Sequence, residues 1–220
     1  MYFKVEEVWS ALPLMLQGAL ITFEISILGI LVGLFVGTTL FLLRHVDFRP
    51  IYYFVTFYIS VIRGTPLLVQ IMVVYYAAPI LGIDLPAKLA GIIALGLNSA
   101  GYVVEILRGG LAAVSHGHIE AARALGIGQA PIWRRIILPQ VFIAVIPALT
   151  NEFTQVLKAS PLLSVITVVE LTRTAQQIMN VTYRPVEVFV AAAVLYFIMC
   201  FILSIITRHL EYRFQSFRVI

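Results

Sequence analysis

Long apolar runs alternate with short polar stretches along this chain of 220 residues. Each run reaches the roughly 20 residues that a helix needs to cross the apolar core of a bilayer. The five runs cover residues 16–43, 53–81, 89–114, 136–157 and 186–207. Because backbone groups in lipid must find partners within their own segment, each run is predicted to be helical. The pattern therefore predicts an all-α integral membrane protein with about five transmembrane helices.

The first run is expected to remain in the protein rather than to be removed as a signal peptide. It is longer than the apolar region of a signal peptide, it contains Glu24, and it lacks a small-residue cleavage site. Gly29, Gly33 and Gly37 form two overlapping GxxxG units in this run, which let a second helix approach closely. We expect that helix to belong to the same subunit, with a dimer seam as the alternative. In the second run, Pro66 is predicted to kink the helix.

Composition narrows the class of protein further. Hydrophobic residues make up 61% of the chain and charged residues 12%, against about 45–50% and about 25% in soluble domains. Five spans leave no room for a large soluble domain, so residues 1–220 are predicted to form one membrane domain.

The single cysteine, Cys200, excludes a disulfide framework, and His116 and His118 have no third metal ligand near them in the sequence. The net charge of +4 comes from dispersed basic residues, which argues against a nucleic-acid partner.

Basic residues near the ends of the runs predict the orientation in the membrane. If the N-terminus lies outside, the inner side holds twice as many basic residues as the outer side. The inner set is Arg44, Arg49, Arg63, Arg108, Arg123, Arg134, Arg135, Arg208, Arg213 and Arg218. The outer set is Lys4, Lys88, Lys158, Arg173 and Arg184. The C-terminus is therefore expected in the cytoplasm.

A polar, charged stretch from Glu120 to Pro139 separates the third run from the fourth. Ser115 can cap a short helix at its start, and the alanines of the stretch favour that helix. Gly126 and Gly128 then supply a break, and Pro131 can open the next helix. The residues alone allow either a small helical projection or a plain solvated loop.

The sequence of this stretch resembles the EAA signature of ABC-importer permeases. The matching positions are Glu120, Ala121, Ala122, Gly126, Ile137, Leu138 and Pro139. Further stretches at 63–66, 98–110 and 157–164 resemble the permeases of the histidine, glutamine and arginine uptake systems. The likeness extends over most of the chain, and it favours the helical projection.

This resemblance implies the fold of type I ABC importers, with a cytoplasmic coupling helix within residues 115–139. It also implies four kinds of partner in a bacterial inner membrane: a cytoplasmic ATPase dimer, a second permease subunit that we expect to be an identical copy, an extracytoplasmic solute-binding protein, and membrane lipid. The residues expected to contact the ATPase are Glu120, Ala121, Ala122, Arg123, Leu125 and Gly126.

The chain itself is not expected to be an enzyme or to bind a cofactor. Its three lysines are Lys4, Lys88 and Lys158, and none completes the GxxxxGKS/T loop that cradles nucleotide phosphates. ATP and Mg²⁺ are therefore expected on the partner ATPase.

Polar residues inside the apolar runs are candidates for substrate contacts, because an unpaired charge there is costly. Glu24 and Glu152 have no basic residue on the same helix face, and a rise of about 1.5 Å per residue puts each roughly 9 Å from the outer end of its span. Asn98 lies nearer the midplane, and Tyr102 follows one turn later. We predict that these four residues line a pocket for a basic amino acid such as arginine, lysine or histidine, with core packing as the alternative role for Tyr102. The alternatives are polar contacts between helices, or a pocket for glutamine or another polar amino acid.

Arg108 follows Glu105 by three residues, so this pair is predicted to be a structural ion pair.

A secondary transporter or channel is the alternative function from another class of protein, because such proteins also place polar residues in the membrane. The lack of a recognisable inverted repeat and the EAA-like stretch argue against that alternative.

Overall fold

The computed structural model of the protein describes residues 5–215, so Lys4 and Arg218 of the orientation count lie outside the described residues. The described chain is a bundle of nine α-helices joined by short turns. These helices are α1 Val5–Leu43, α2 Arg49–Gly64, α3 Leu67–Ala77, α4 Ala87–Ala112, α5 His116–Ala124, α6 Gln129–Ile132, α7 Leu138–Ala159, α8 Leu171–Thr182 and α9 Pro185–Gln215. Short 3₁₀ turns cover Pro79–Leu81 and Ser160–Ile166, and a π-helical turn covers Trp133–Ile137.

Four helical segments are long and apolar enough to cross a membrane, and the bent pair formed by α2 and α3 makes a fifth among the residues described. The four are Val8–Leu43, Ala87–Ala112, Gln129–Ile166 and Pro185–His209. The prediction of an all-α membrane protein with about five spans is therefore confirmed. The first span begins earlier than predicted, because the apolar helix already extends over the residues before Leu16.

The second span is broken rather than kinked. The axes of α2 and α3 differ by 112° across the break after Gly64. Thr65 is extended, with φ −121° and ψ 149°, as expected for a residue that precedes proline. Pro66 has no N–H to continue the helical ladder. Proline at this position correctly predicted the place of the distortion but not its size.

The main seam of the bundle lies between α1 and α4. A Cβ atom built on Gly33 would lie 2.7 Å from Cβ of Ser99, and one built on Gly37 would lie 2.7 Å from Cβ of Val103. On the opposite helix, Gly96 lies against Val32 in the same way. The glycines therefore let the two backbones approach within one subunit, as the sequence predicted.

Replacement of Gly37 by leucine is expected to destabilise the protein by about 1–3 kcal/mol, the usual cost of overpacking a closed seam. The added side chain meets both Val103 and the carbonyl oxygen of Ala100, which lies 2.9 Å from the Cβ position. The thermal unfolding midpoint in detergent measures the effect. Gly109→Leu on α4 is the matched control, because nothing lies within 4 Å of its Cβ position. Equal midpoints for the two variants would contradict the role of the seam.

A buried carboxylate fixes the turn before α8. Glu170 is fully buried and caps α8, accepting hydrogen bonds from the backbone N–H groups of Thr172 at 2.9 Å and Arg173 at 2.8 Å. The hydroxyl of Tyr196 on α9 donates to the same carboxylate at 2.7 Å. The N–H of Leu171 donates to Thr22 on α1 at 3.1 Å. This network ties α8 to both the first and the last span.

Candidate functional site

A cavity of about 280 Å³ lies where the break between α2 and α3 meets α4 and α7. Three of the four residues predicted to bind substrate line it, namely Asn98, Tyr102 and Glu152. The remaining lining residues are Thr65, Leu67, Leu95, Gln155, Val156 and Ala159. Its volume is close to the lower end of the range for small-molecule sites, about 300–1,000 Å³. The cavity therefore has the size and polarity expected for a small polar ligand.

Glu152 is the only acidic residue of this cavity lining. It is 8% exposed, and none of the Lys, Arg or His side chains that the structure describes, within residues 8–209, forms an ion pair with it. A buried carboxylate without a cationic partner is costly unless a ligand or proton supplies the missing positive charge. The residue type and its placement favour a ligand with a positive group.

Asn98 is held by a network that sequence reasoning missed. Its Nδ2 donates to Oε1 of Gln70 on α3 at 2.9 Å. Gln70 in turn donates through Nε2 to the carbonyl oxygens of Ile62 at 2.8 Å and Thr65 at 3.2 Å. The amide of Gln70 thus satisfies carbonyl groups that the broken helix leaves free. A glutamine in the middle of an apolar run was the signal that could have revealed this role.

Replacement of Gln70 by leucine is expected to destabilise the protein by about 1 kcal/mol or more, because the part-buried carbonyl of Ile62 and the exposed carbonyl of Thr65 lose their donor. The shift in thermal unfolding midpoint measures this cost. Gln177→Leu on the exposed side of α8 provides the same change of side chain without a role at the break. A midpoint unchanged by Gln70→Leu would mean that the break does not depend on this amide.

Glu24 is the one predicted pocket residue that the structure does not bring to the cavity. Its Oε2 lies 2.7 Å from Nζ of Lys88, near the start of α4, and both side chains are about half exposed. The prediction compared depth and basic residues on the same helix, whereas the partner lies on another helix. Glu24 is therefore an ion-pair residue between α1 and α4 in this structure.

Glu105 lies close to three arginines from separate parts of the chain. Arg108 donates to Oε2 through Nε at 2.9 Å and through Nη2 at 2.8 Å, which is the predicted pair. Arg44, just after α1, donates to Oε1 at 3.1 Å. Arg63, near the end of α2, lies 3.8 Å from Oε2. The carboxylate thus holds together the ends of α1, α2 and α4 at one end of the bundle.

The polar stretch between the third and fourth spans contains a short helix with a defined C-terminal cap. Ser115 occupies the N-cap position of α5, but its hydroxyl makes no capping hydrogen bond. At the other end, Gly126 has φ +72°. Its N–H donates to the carbonyl of Arg123 at 2.9 Å, and the N–H of Ile127 donates to that of Ala122 at 3.0 Å. This pair of bonds is a Schellman motif, which explains the need for glycine.

The helix α5 rests on the bundle through one face and leaves the other open. Ala122 is 4% exposed and packs with Ile132, Ile137 and Val141. The other residues predicted to contact the ATPase are exposed: Glu120, Ala121, Arg123, Leu125 and Gly126. Leu125 is 79% exposed, and an open groove of about 920 Å³ lies between α5 and the start of α7. Such a helix is suited to insertion into another protein.

Comparison with known proteins decides the family. Residues 29–216 match the family described as the inner membrane component of binding-protein-dependent transport systems. The chain belongs to this family. The permease is 37% identical over 206 residues to the arginine transport system permease protein ArtQ of Bacillus subtilis, covering 93% of the permease and 94% of ArtQ. It is 36% identical over 217 residues to the glutamine transport system permease protein GlnP of Escherichia coli K12, covering 98% and 99%.

Solved structures agree with this assignment. The permease superposes with a TM-score of 0.91 on a chain described as an amino acid ABC transporter with histidines, at 38% identity and with 97% and 100% of the two chains covered. A chain of the MetNI methionine ABC transporter superposes with a TM-score of 0.70 at 20% identity, covering 94% and 96%, and supports the fold alone. The permease thus has the type I ABC importer fold.

Family membership establishes the general role of the chain. It is a multi-pass membrane permease subunit of an ABC amino acid importer and not an enzyme, since the ATPase activity lies in a separate subunit. The family also implies a binding protein as a partner. Relatives named for arginine and for glutamine leave the amino acid to be argued from the cavity.

Proposed function

We propose that the permease imports a basic amino acid, such as arginine, lysine or histidine, through a pathway that includes the cavity at Asn98, Tyr102 and Glu152. The carrying observation is the buried carboxylate of Glu152, which has no basic partner among the side chains described for residues 8–209. A cationic group of the substrate supplies that partner. The name of the Bacillus subtilis relative, an arginine permease, supports this assignment.

In this proposal, α5 docks into a cytoplasmic ATPase dimer through its exposed face. ATP and Mg²⁺ bind to the ATPase, and this chain holds no cofactor. An extracytoplasmic binding protein delivers the amino acid, and a second, identical permease subunit completes the pathway. Closure of the ATPase dimer draws the two α5 helices together and opens the pathway outward, and hydrolysis resets it.

The proposed orientation puts the N-terminus outside the bacterial inner membrane and the C-terminus in the cytoplasm. The excess of basic residues on one side supports it. The contacts of Glu105 also support it, because Arg44, Arg63 and Arg108 all gather at one end of the bundle. That end is continuous with α5 through the C-terminus of α4.

A glutamine permease is the second candidate. The E. coli relative is named for glutamine, and the cavity lining includes the amides of Asn98 and Gln155, which can pair with a substrate amide. Neither amide would neutralise Glu152, however, so a basic substrate is favoured.

The substrate assignment is tested by competition in proteoliposomes that contain the permease, its ATPase and its binding protein. Uptake of labelled arginine is measured into sealed vesicles that contain ATP in the lumen, with the binding protein in the medium, so that correctly oriented complexes have their ATPase inside. Unlabelled lysine or histidine is expected to reduce the uptake, whereas glutamine is expected to have little effect. Uptake of labelled glutamine with no detectable uptake of arginine would replace the first candidate with the second.

A further inference from the structure

An arginine beside the cavity has hydrogen-bonding capacity that the protein does not use. Arg63 stands in the last turn of α2, two residues before Thr65 of the cavity lining, and its side chain is 49% exposed. The nearest oxygen of Glu105 lies 3.8 Å away, which exceeds the 2.7–3.2 Å of a hydrogen bond. Its guanidinium makes no hydrogen bond to any of the groups described within residues 8–209.

The other two arginines at Glu105 differ from Arg63 in this respect. Arg108 makes two hydrogen bonds to the carboxylate and Arg44 makes one. Both oxygens of Glu105 are thus occupied by closer donors. Three guanidiniums share one carboxylate, so the cluster has surplus positive charge, and the loosely held Arg63 is the member able to bind another anion.

Tyr102 positions this guanidinium next to the cavity. The Cζ atom of Arg63 lies 5.7 Å from the centroid of the Tyr102 ring, a cation–π distance. The same ring lines the cavity together with Glu152. A cavity with a carboxylate in its lining and a guanidinium at its margin matches a molecule that has both a positive group and a carboxylate.

We infer that Arg63 binds the α-carboxylate of the transported amino acid, while Glu152 binds its cationic group. The planar fork of a guanidinium suits bidentate recognition of a carboxylate, which an amide or an ammonium does not reproduce. Stacking on Tyr102 holds the fork at the cavity margin before the substrate arrives. The inference rests on the proposed function, since it takes the cavity to be the substrate site. It adds that the permease itself requires the amino acid's carboxylate.

The test is direct binding to the purified permease–ATPase complex without the binding protein, because that protein has its own specificity. Binding of labelled L-arginine is measured in competition with unlabelled arginine and with agmatine, which lacks the carboxylate. The wild-type complex is expected to prefer arginine. Arg63→Gln is expected to weaken arginine binding by about tenfold, as for the loss of one charge-assisted interaction, and to leave agmatine binding unchanged. Arg63→Lys is expected to give an intermediate loss.

Arg49→Gln is the matched control, since it removes the same charge from an exposed position at the opposite end of α2. It is expected to keep the preference for arginine over agmatine. If wild-type binding depends on Glu152 but Arg63→Gln and Arg63→Lys keep the full preference, the role of Arg63 is wrong and the proposed function stands. If the wild-type complex does not bind arginine, both the role of Arg63 and the proposed function are wrong. Should Arg63→Gln fail to fold, the preference of Arg63→Lys for arginine over agmatine decides the role of Arg63.

Discussion

Replacement of Gly126 by valine is expected to abolish ATP-driven uptake while the membrane-spanning helices remain folded. Gly126 adopts φ +72° and closes the C-terminus of α5. A residue with a Cβ atom costs about 1–2 kcal/mol in this left-handed conformation, and a β-branched one costs more. A nine-residue helix has little stability of its own to absorb that cost. The end of α5 is therefore expected to unwind, and the proposed contact with the ATPase is lost.

Uptake of labelled amino acid and ATP hydrolysis are measured on the same reconstituted complex. Gly128→Val is the matched control, because Gly128 has an ordinary φ of −65° and its Cβ position has only one neighbour, at 3.8 Å. The control is expected to keep most of the uptake. Normal uptake by Gly126→Val, with the variant fully incorporated, would show that the cap of α5 is not needed for coupling.

Glu152→Gln is expected to reduce arginine uptake by about 10–150-fold, the range that corresponds to the loss of a charged hydrogen-bond partner worth about 1.5–3 kcal/mol. The substitution keeps the shape of the side chain and removes the negative charge from the cavity. Assembly with the ATPase is expected to be unaffected, because Glu152 lies between helices of the permease. Uptake rates over a range of arginine concentrations measure the change.

Glu24→Gln serves as the comparison for this variant. It makes the same chemical change at a carboxylate that pairs with Lys88 and does not line the cavity. Its effect on arginine uptake is expected to be small. Equal losses in the two variants would show that uptake responds to intramembrane charge in general. Unchanged uptake in Glu152→Gln would show that arginine transport does not need the carboxylate of Glu152.

The fate of Glu24 shows where sequence reasoning about the site stops. Counting residues along a helix gives the depth of a side chain but not the direction in which it points relative to other helices. The partner of Glu24 is 64 residues away in the sequence, on α4. A search along the same helix face could not find it. For Glu105, in contrast, Arg108 lies one turn away, and the local rule found that pair but missed Arg44 and Arg63.

The spans and the coupling segment could be predicted from the sequence, because each depends on a local pattern of residues. Apolar length predicts helices that cross a membrane, and Gly126 marks the end of α5 by its conformational freedom. The break after Gly64 could be predicted only in part. Pro66 predicts a distortion, but a turn of 112° also needs Gln70 to satisfy the freed carbonyl groups. That contact depends on tertiary packing and was not predicted.

The most direct test of whether a separate ATPase drives transport through this permease is to omit the components one at a time. Proteoliposomes are prepared with the permease alone, with permease and ATPase, and with permease, ATPase and binding protein, and accumulation of labelled arginine is followed with and without ATP. Accumulation is expected only when all three proteins and ATP are present. Accumulation by the permease alone under an ion gradient would contradict this expectation.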